Sequence, residues 1–237
     1  QPGVLIEPWN PLAGSNWIYD TTPRRATEDA GVVADPYTGL YIPLKIESAA
    51  CTVKTGLPVA KTLDWVTVDF ADTIAVPETA WADWDAVNQV FIEAGKMTTP
   101  TLETLSKCTV TYPADLYEVT KWHDGSQFSV ADIIMGMIMT FDPGKPDSAN
   151  FDEALAPAID AFLSHFRGVV IESTDPLVIT SYDDQYWLDA EWMVRTWWPQ
   201  YGYGVAPWHN MAVGATADAK GELAFSTDKA GTLGVEW

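Results

Sequence analysis

The sequence predicts an α+β fold, with mixed β-sheets and packed helices. Three observations carry that prediction. The run Val66-Thr67-Val68-Asp69-Phe70 alternates with the two-residue period of a half-buried strand. Val130, Ile133, Ile134, Met137, Ile138 and Phe141 follow the i, i+3, i+4, i+7 spacing of an amphipathic helix. Turn dipeptides such as Thr38-Gly39 and Asp124-Gly125 separate runs of the two kinds.

In chain order, residues 4–20 hold Pro8, Pro11 and Gly14 among Trp9, Asn16, Trp17 and Tyr19, which predicts a shaped loop. Thr22-Pro23 opens a short helix to about Ala30 as an N-cap and N1 pair. Residues 32–44 predict a hairpin around a Pro/Thr-Gly turn. Residues 63–70 predict a strand. Residues 80–94 predict a helix with Trp84, Val87, Phe91 and Ala94 on one face and Gly95 as its stop. Thr99-Pro100 opens another short helical run through Leu102 and Leu105. Residues 108–112 read as a strand, and a second strand after Pro113 leads to Trp122. Asp124-Gly125 then turns the chain, since glycine accepts positive φ without a Cβ clash. Ser129 and Asp132 form an N-terminal capping pattern for the helix that follows. Asp142-Pro143-Gly144 ends it. A helix over 151–166 has its regular part from Ala156 because of Pro157. A hairpin over 168–182 and a helix from Trp187 to Trp198 follow. The tail after Tyr201 has weak periodicity.

Composition narrows the function classes. Acidic residues outnumber basic ones 33 to 13, a net charge of −20, which excludes nucleic acid as an expected partner because phosphate recognition needs a basic surface. No apolar run approaches the roughly 18 residues of a membrane span, so no membrane insertion is expected. No basic-then-apolar signal opens the sequence. Cys51 and Cys108 are either one disulfide, as an oxidising compartment allows, or two separate buried thiols.

The stretch Lys121-Trp122-His123-Asp124-Gly125-Ser126-Gln127-Phe128-Ser129-Val130-Ala131-Asp132-Ile133 resembles the W/F-H-D-G-x-P-F-T/S-A-x-D-V signature of family 5 extracellular solute-binding proteins, the peptide/nickel-type receptors of ABC importers. Gln127 stands where the family usually has Pro, and Val130 where it usually has Ala. Residues 32–44 and 168–182 resemble two further hairpins of that family. The resemblance implies part of lobe I of a periplasmic-binding-protein-like type II fold. It implies capture of peptides or related solutes outside the cytoplasmic membrane, in a periplasmic or extracellular location, for an ABC permease, with no chemistry performed and no cofactor. Anchoring through an N-terminal signal that is later removed also belongs to that expectation. Family members are longer, and their ligand is trapped between two lobes. The chain is therefore expected to be a single α+β unit, residues 1–237, from the N-terminal part of a two-lobed protein. Its missing second lobe would be a partner, and residues 46–106 would be a divergent insertion. The family's ligand cleft lies near the segment matching the first loop, so Trp9, Asn16, Trp17 and Tyr19 are the candidate ligand-binding residues.

Other sites read as structural. His123 and Asp124 fit a turn bonded to its own backbone better than a metal site, because no second His or Cys stands at ligand spacing. There is no G-x-S-x-G elbow and no phosphate loop. Asp183-Asp184 suggests glycosidase carboxylates, but adjacent acids are common in so acidic a chain. Asp142, Asp147 and Asp152 scatter oxygen ligands without the EF-hand spacing. The late aromatics Trp187, Trp192, Trp197, Trp198, Trp208, Tyr186, Tyr201 and Tyr203 read as core, or as a stacking surface. That surface motivates the alternative, a secreted carbohydrate-binding or carbohydrate-active protein. A calcium-using adhesion domain is the third reading.

Overall fold

A computed structural model of the chain describes Thr22, residues 30–196 and residues 206–235. The fold is mixed α+β, as the sequence predicts. Its strands are β1 (Val32–Ala34), β2 (Tyr41–Pro43), β3 (Ser48–Lys54), β4 (Val66–Ala71), β5 (Ile74–Ala75), β6 (Trp81–Asp85), β7 (Val90–Glu93), β8 (Glu103–Thr104), β9 (Ser106–Thr111), β10 (Phe166–Thr174) and β11 (Leu177–Asp183). The α-helices among the described residues are α1 (Leu116–Val119), α2 (Val130–Phe141), α3 (Ala156–His165), α4 (Ala190–Thr196), α5 (Trp208–Ala219) and α6 (Thr227–Leu233).

Seven strands form one sheet in the order β4-β3-β9-β11-β10-β6-β7. Only the β3–β4 pair is parallel; the other pairs are antiparallel. Residues 46–106 supply β3 and β4 toward one edge and β6 and β7 at the other, so they are integral to the sheet. Alternation puts the main core on one face, with Val53, Val110, Val169, Ile179, Met137 and Phe141 all buried. A smaller cluster of Val76, Ala80, Ala82, Ala94 and Tyr182 covers the other face, where Val170 packs. The consecutive residues Val169 and Val170 thus serve opposite layers. Cys51 and Cys108 face each other across β3 and β9 and are joined as a disulfide.

The predicted join takes the expected form with one difference. Lys121 and Gln127 pair as an isolated antiparallel bridge, and Gly125 turns the chain at φ 86°. The Asp132 carboxylate reaches back to the Ser129 N–H at 2.8 Å, capping α2. No residue of α2 is exposed, and Ile133, Met137 and Phe141 are fully buried. Ahead of the turn, however, the strand expected after Pro113 is replaced by the short helix α1. The Gln127 side-chain amide donates to the carbonyls of Tyr117 and Thr120, holding α1 over the turn.

Two further expectations fail. Residues 80–94 form the β6–β7 hairpin, not a helix. Its turn is held by Asp85, whose Oδ1 accepts from the N–H groups of Val87 and Asn88, while Gln89 takes φ 55°. Trp81 stacks on Phe91 at 4.3 Å across the strands, a contact that a helix does not offer. The helical run expected from Thr99 is instead β8 leading into β9. The hairpins at 32–44 and 168–182 and the start of α3 at Ala156 agree with expectation. The unpatterned tail contains α5 and α6.

Candidate functional site

Aromatic and acidic side chains meet where the β1–β2 hairpin, the loop at residues 57–65 and α4 come together. Asp189 precedes α4 and accepts the Trp192 N–H at 2.7 Å, as an N-cap residue does. Ala60 bridges to Asp189 in parallel, and the Ala190 N–H donates to the Ala60 carbonyl at 2.9 Å. Glu191, in the first turn of α4, is completely buried. Its Oε1 accepts from the Thr62 N–H at 2.7 Å and from the Leu63 N–H. Burial, with Glu191 beside it, pushes the Asp189 carboxyl above its usual range.

Four aromatic residues meet at this corner. Trp192 meets Tyr41 edge-on at 4.8 Å and Trp187 edge-on at 5.9 Å. The Trp65 indole donates to the Tyr41 carbonyl at 3.0 Å, which fixes the hairpin against the loop. The Trp187 Nε1 donor is buried without a hydrogen-bond partner, and the Glu191 carboxylate lies within side-chain hydrogen-bond reach of Asp189.

The late aromatics therefore divide. Trp187 and Trp192 come together with Tyr41, a partner that sequence spacing could not reveal. Trp208 instead opens α5, packs against His209 at 5.7 Å and donates its N–H to Asp132. Trp197, Trp198, Tyr201 and Tyr203 lie outside the described residues, as do Trp9, Asn16, Trp17 and Tyr19.

The remaining candidates resolve into local structure. Asp124 Oδ1 accepts from the Ser126 hydroxyl at 2.6 Å and its N–H at 2.8 Å, which holds the Asp124 carboxyl below its usual range. His209, not His123, stands 3.4 Å from the other Asp124 oxygen. Asp183 and Asp184 each have a separate partner. His165 Nδ1 lies 2.8 Å from Asp183 Oδ1, and Arg167 meets Asp184 through Nε at 2.7 Å and Nη2 at 2.6 Å. Carboxylates held by separate side chains of the same fold do not form an opposed pair across a substrate. Asp142 is surrounded by donors: the Trp84 indole at 2.8 Å, Ser148 at 2.6 Å, Asn150 at 3.1 Å and Gln89 at 3.3 Å. That network anchors the end of α2 to the β6–β7 hairpin. Among the described residues, no three His, Cys, Asp or Glu side chains gather at metal-binding distance, and no helix is long and apolar enough to cross a membrane.

No protein-family model and no curated protein matches the chain.

Proposed function

We propose that the chain is part of lobe I of the substrate-binding component of an ABC importer, capturing peptides outside the cytoplasmic membrane for a permease. The single observation that carries this reading is the join at residues 121–141. A bridge from Lys121 to Gln127, a glycine turn at φ 86° and a capped, enclosed helix reproduce in geometry what the signature residues suggest in sequence. The α+β architecture is compatible with it. The reading makes the protein a binder and not an enzyme, with ligand affinity arising from closure of two lobes around the solute. The aromatic corner at Tyr41, Trp187 and Trp192 supplies contact area at small entropy cost, and Trp9, Asn16, Trp17 and Tyr19 supply further contacts.

The test is the reading frame of the gene beyond codon 237. A second long α/β region returning to this unit is the expected result. A continuation that encodes a catalytic domain, or an unrelated module, would remove the basis for the receptor reading.

A further inference from the structure

Helices α2 and α5 pack together and start together, since the Trp208 N–H donates to Asp132 Oδ1 at 2.8 Å. Each has 12 residues. Asp218 lies near the end of α5, within electrostatic reach of Asp152, and Asp142-Pro143-Gly144 begins the loop after α2. Asp152 is fixed at the same place, because its N–H donates to the Pro143 carbonyl at 2.7 Å. Asn150 is fixed there too, because its Nδ2 donates to Asp142.

Three oxygens in this region are buried without a hydrogen-bond partner: Asn150 Oδ1, Asp152 Oδ2 and Asp218 Oδ1. Asp152 and Asp218 are only 3% and 2% exposed. Lys229 engages the other Asp218 oxygen, Oδ2, at 2.6 Å. Burial pushes the Asp218 carboxyl above its usual range against the pull of Lys229 and the Phe225 N–H, and the nearby Asp152 charge adds to that push. Buried acceptors without donors are costly and uncommon. Three acceptors cannot be satisfied by the two protons of one water. Two carboxylates against one ammonium also leave a net negative charge. A cation answers both needs.

We propose that Asn150, Asp152 and Asp218 bind a calcium ion that clamps the end of α5 to the loop after α2. The donors are all oxygen, with no sulfur or imidazole, which selects a hard cation. Calcium tolerates an irregular set of carboxylate, amide and water ligands, whereas magnesium demands a near-ideal octahedron. This site goes beyond the sequence reading, in which Asp142, Asp147 and Asp152 only scatter oxygen ligands. It uses Asp152 of the originally noted acidic loop, while Asp142 is engaged by its four donors and the second carboxylate comes from a helix 66 residues on. It does not depend on the receptor reading.

The test is thermal unfolding of the chelator-dialysed chain with added CaCl2, MgCl2 or NaCl at matched ionic strength, for wild type, D152N, D218N and K229M. Calcium at a hundredfold excess over its Kd is expected to raise the wild-type Tm by about 5 °C, with a smaller rise from magnesium. D152N and D218N should fold and lose that increment. K229M should start from a lower Tm and gain a larger increment, because Asp218 then offers both oxygens to the ion. An unchanged wild-type Tm would overturn the site. So would the full increment persisting in D152N and D218N, or an equal rise with NaCl, which would mean screening of the −20 net charge.

Discussion

The Asp132 carboxylate caps one helix and catches another: Oδ2 accepts the Ser129 N–H at 2.8 Å, and Oδ1 accepts the Trp208 N–H at 2.8 Å. Asp132 itself is 1% exposed, while its partners Ser129 and Trp208 are less buried. Replacing Asp132 with Ala removes a cap and takes away the acceptor of the Trp208 N–H at the start of α5. The expected loss is about 1–3 kcal/mol, read from the urea midpoint. Asn at this position should recover part of it by keeping one acceptor.

The Cys51–Cys108 disulfide closes a sequence separation of 57 residues. In the chain-entropy model its loss costs about 4 kcal/mol. Urea unfolding with and without a reductant should differ by that order, and the C51A/C108A double variant should match the reduced protein.

Gly144 admits no side chain. A Cβ built there would lie 2.4 Å from Ile159 Cγ2 and 2.9 Å from Ile159 Cβ, on the buried face of α3. G144A should destabilise by about 1–3 kcal/mol. Pairing it with I159A should cost less than the sum of the two single changes, because the second substitution removes the clashing methyl.

Burial pushes the Asp183 carboxyl above its ordinary value of 3.8, against the opposing pull of the Gln185 N–H and His165. The folded protein therefore holds this proton more tightly than the unfolded chain does. The resulting stability is present in full below pH 3.8 and is lost as pH rises through the raised folded-state value. D183N, which cannot ionise, should lack this component. Urea midpoints of wild type and variant, followed upward from pH 3.8, should diverge with wild type falling relative to the variant.

What was legible in the sequence was local. Gly125, Ser129 and Asp132 carry their turn and cap chemistry within a few residues, so the join reads directly. Pro157 marks the start of α3 in the same way. The β6–β7 hairpin misled because Trp84, Val87, Phe91 and Ala94 also satisfy the helical spacing. What decides it is the Asp85 turn and the cross-strand stacking of Trp81 on Phe91, and pattern counting does not weigh these. The helix α5 is held by Asp132, 76 residues away, and its own apolar period is weak. The helix α6 did leave a signal: Ser226 accepts the Lys229 N–H at 3.1 Å as an N-cap, and Gly234 ends the helix at φ 68°. The corner at Tyr41, Trp187, Glu191 and Trp192 joins residues about 150 positions apart, and no local pattern announces it.

The receptor reading is tested most directly by isothermal titration calorimetry with short unmodified peptides. One cell holds residues 1–237, and a second holds the longer, two-lobed polypeptide that the receptor reading expects. Saturable peptide binding by the longer polypeptide, with weak or undetectable binding by residues 1–237, is the predicted result. Tight binding by residues 1–237 alone would contradict a ligand held between two lobes. No binding by either polypeptide would contradict a peptide receptor altogether.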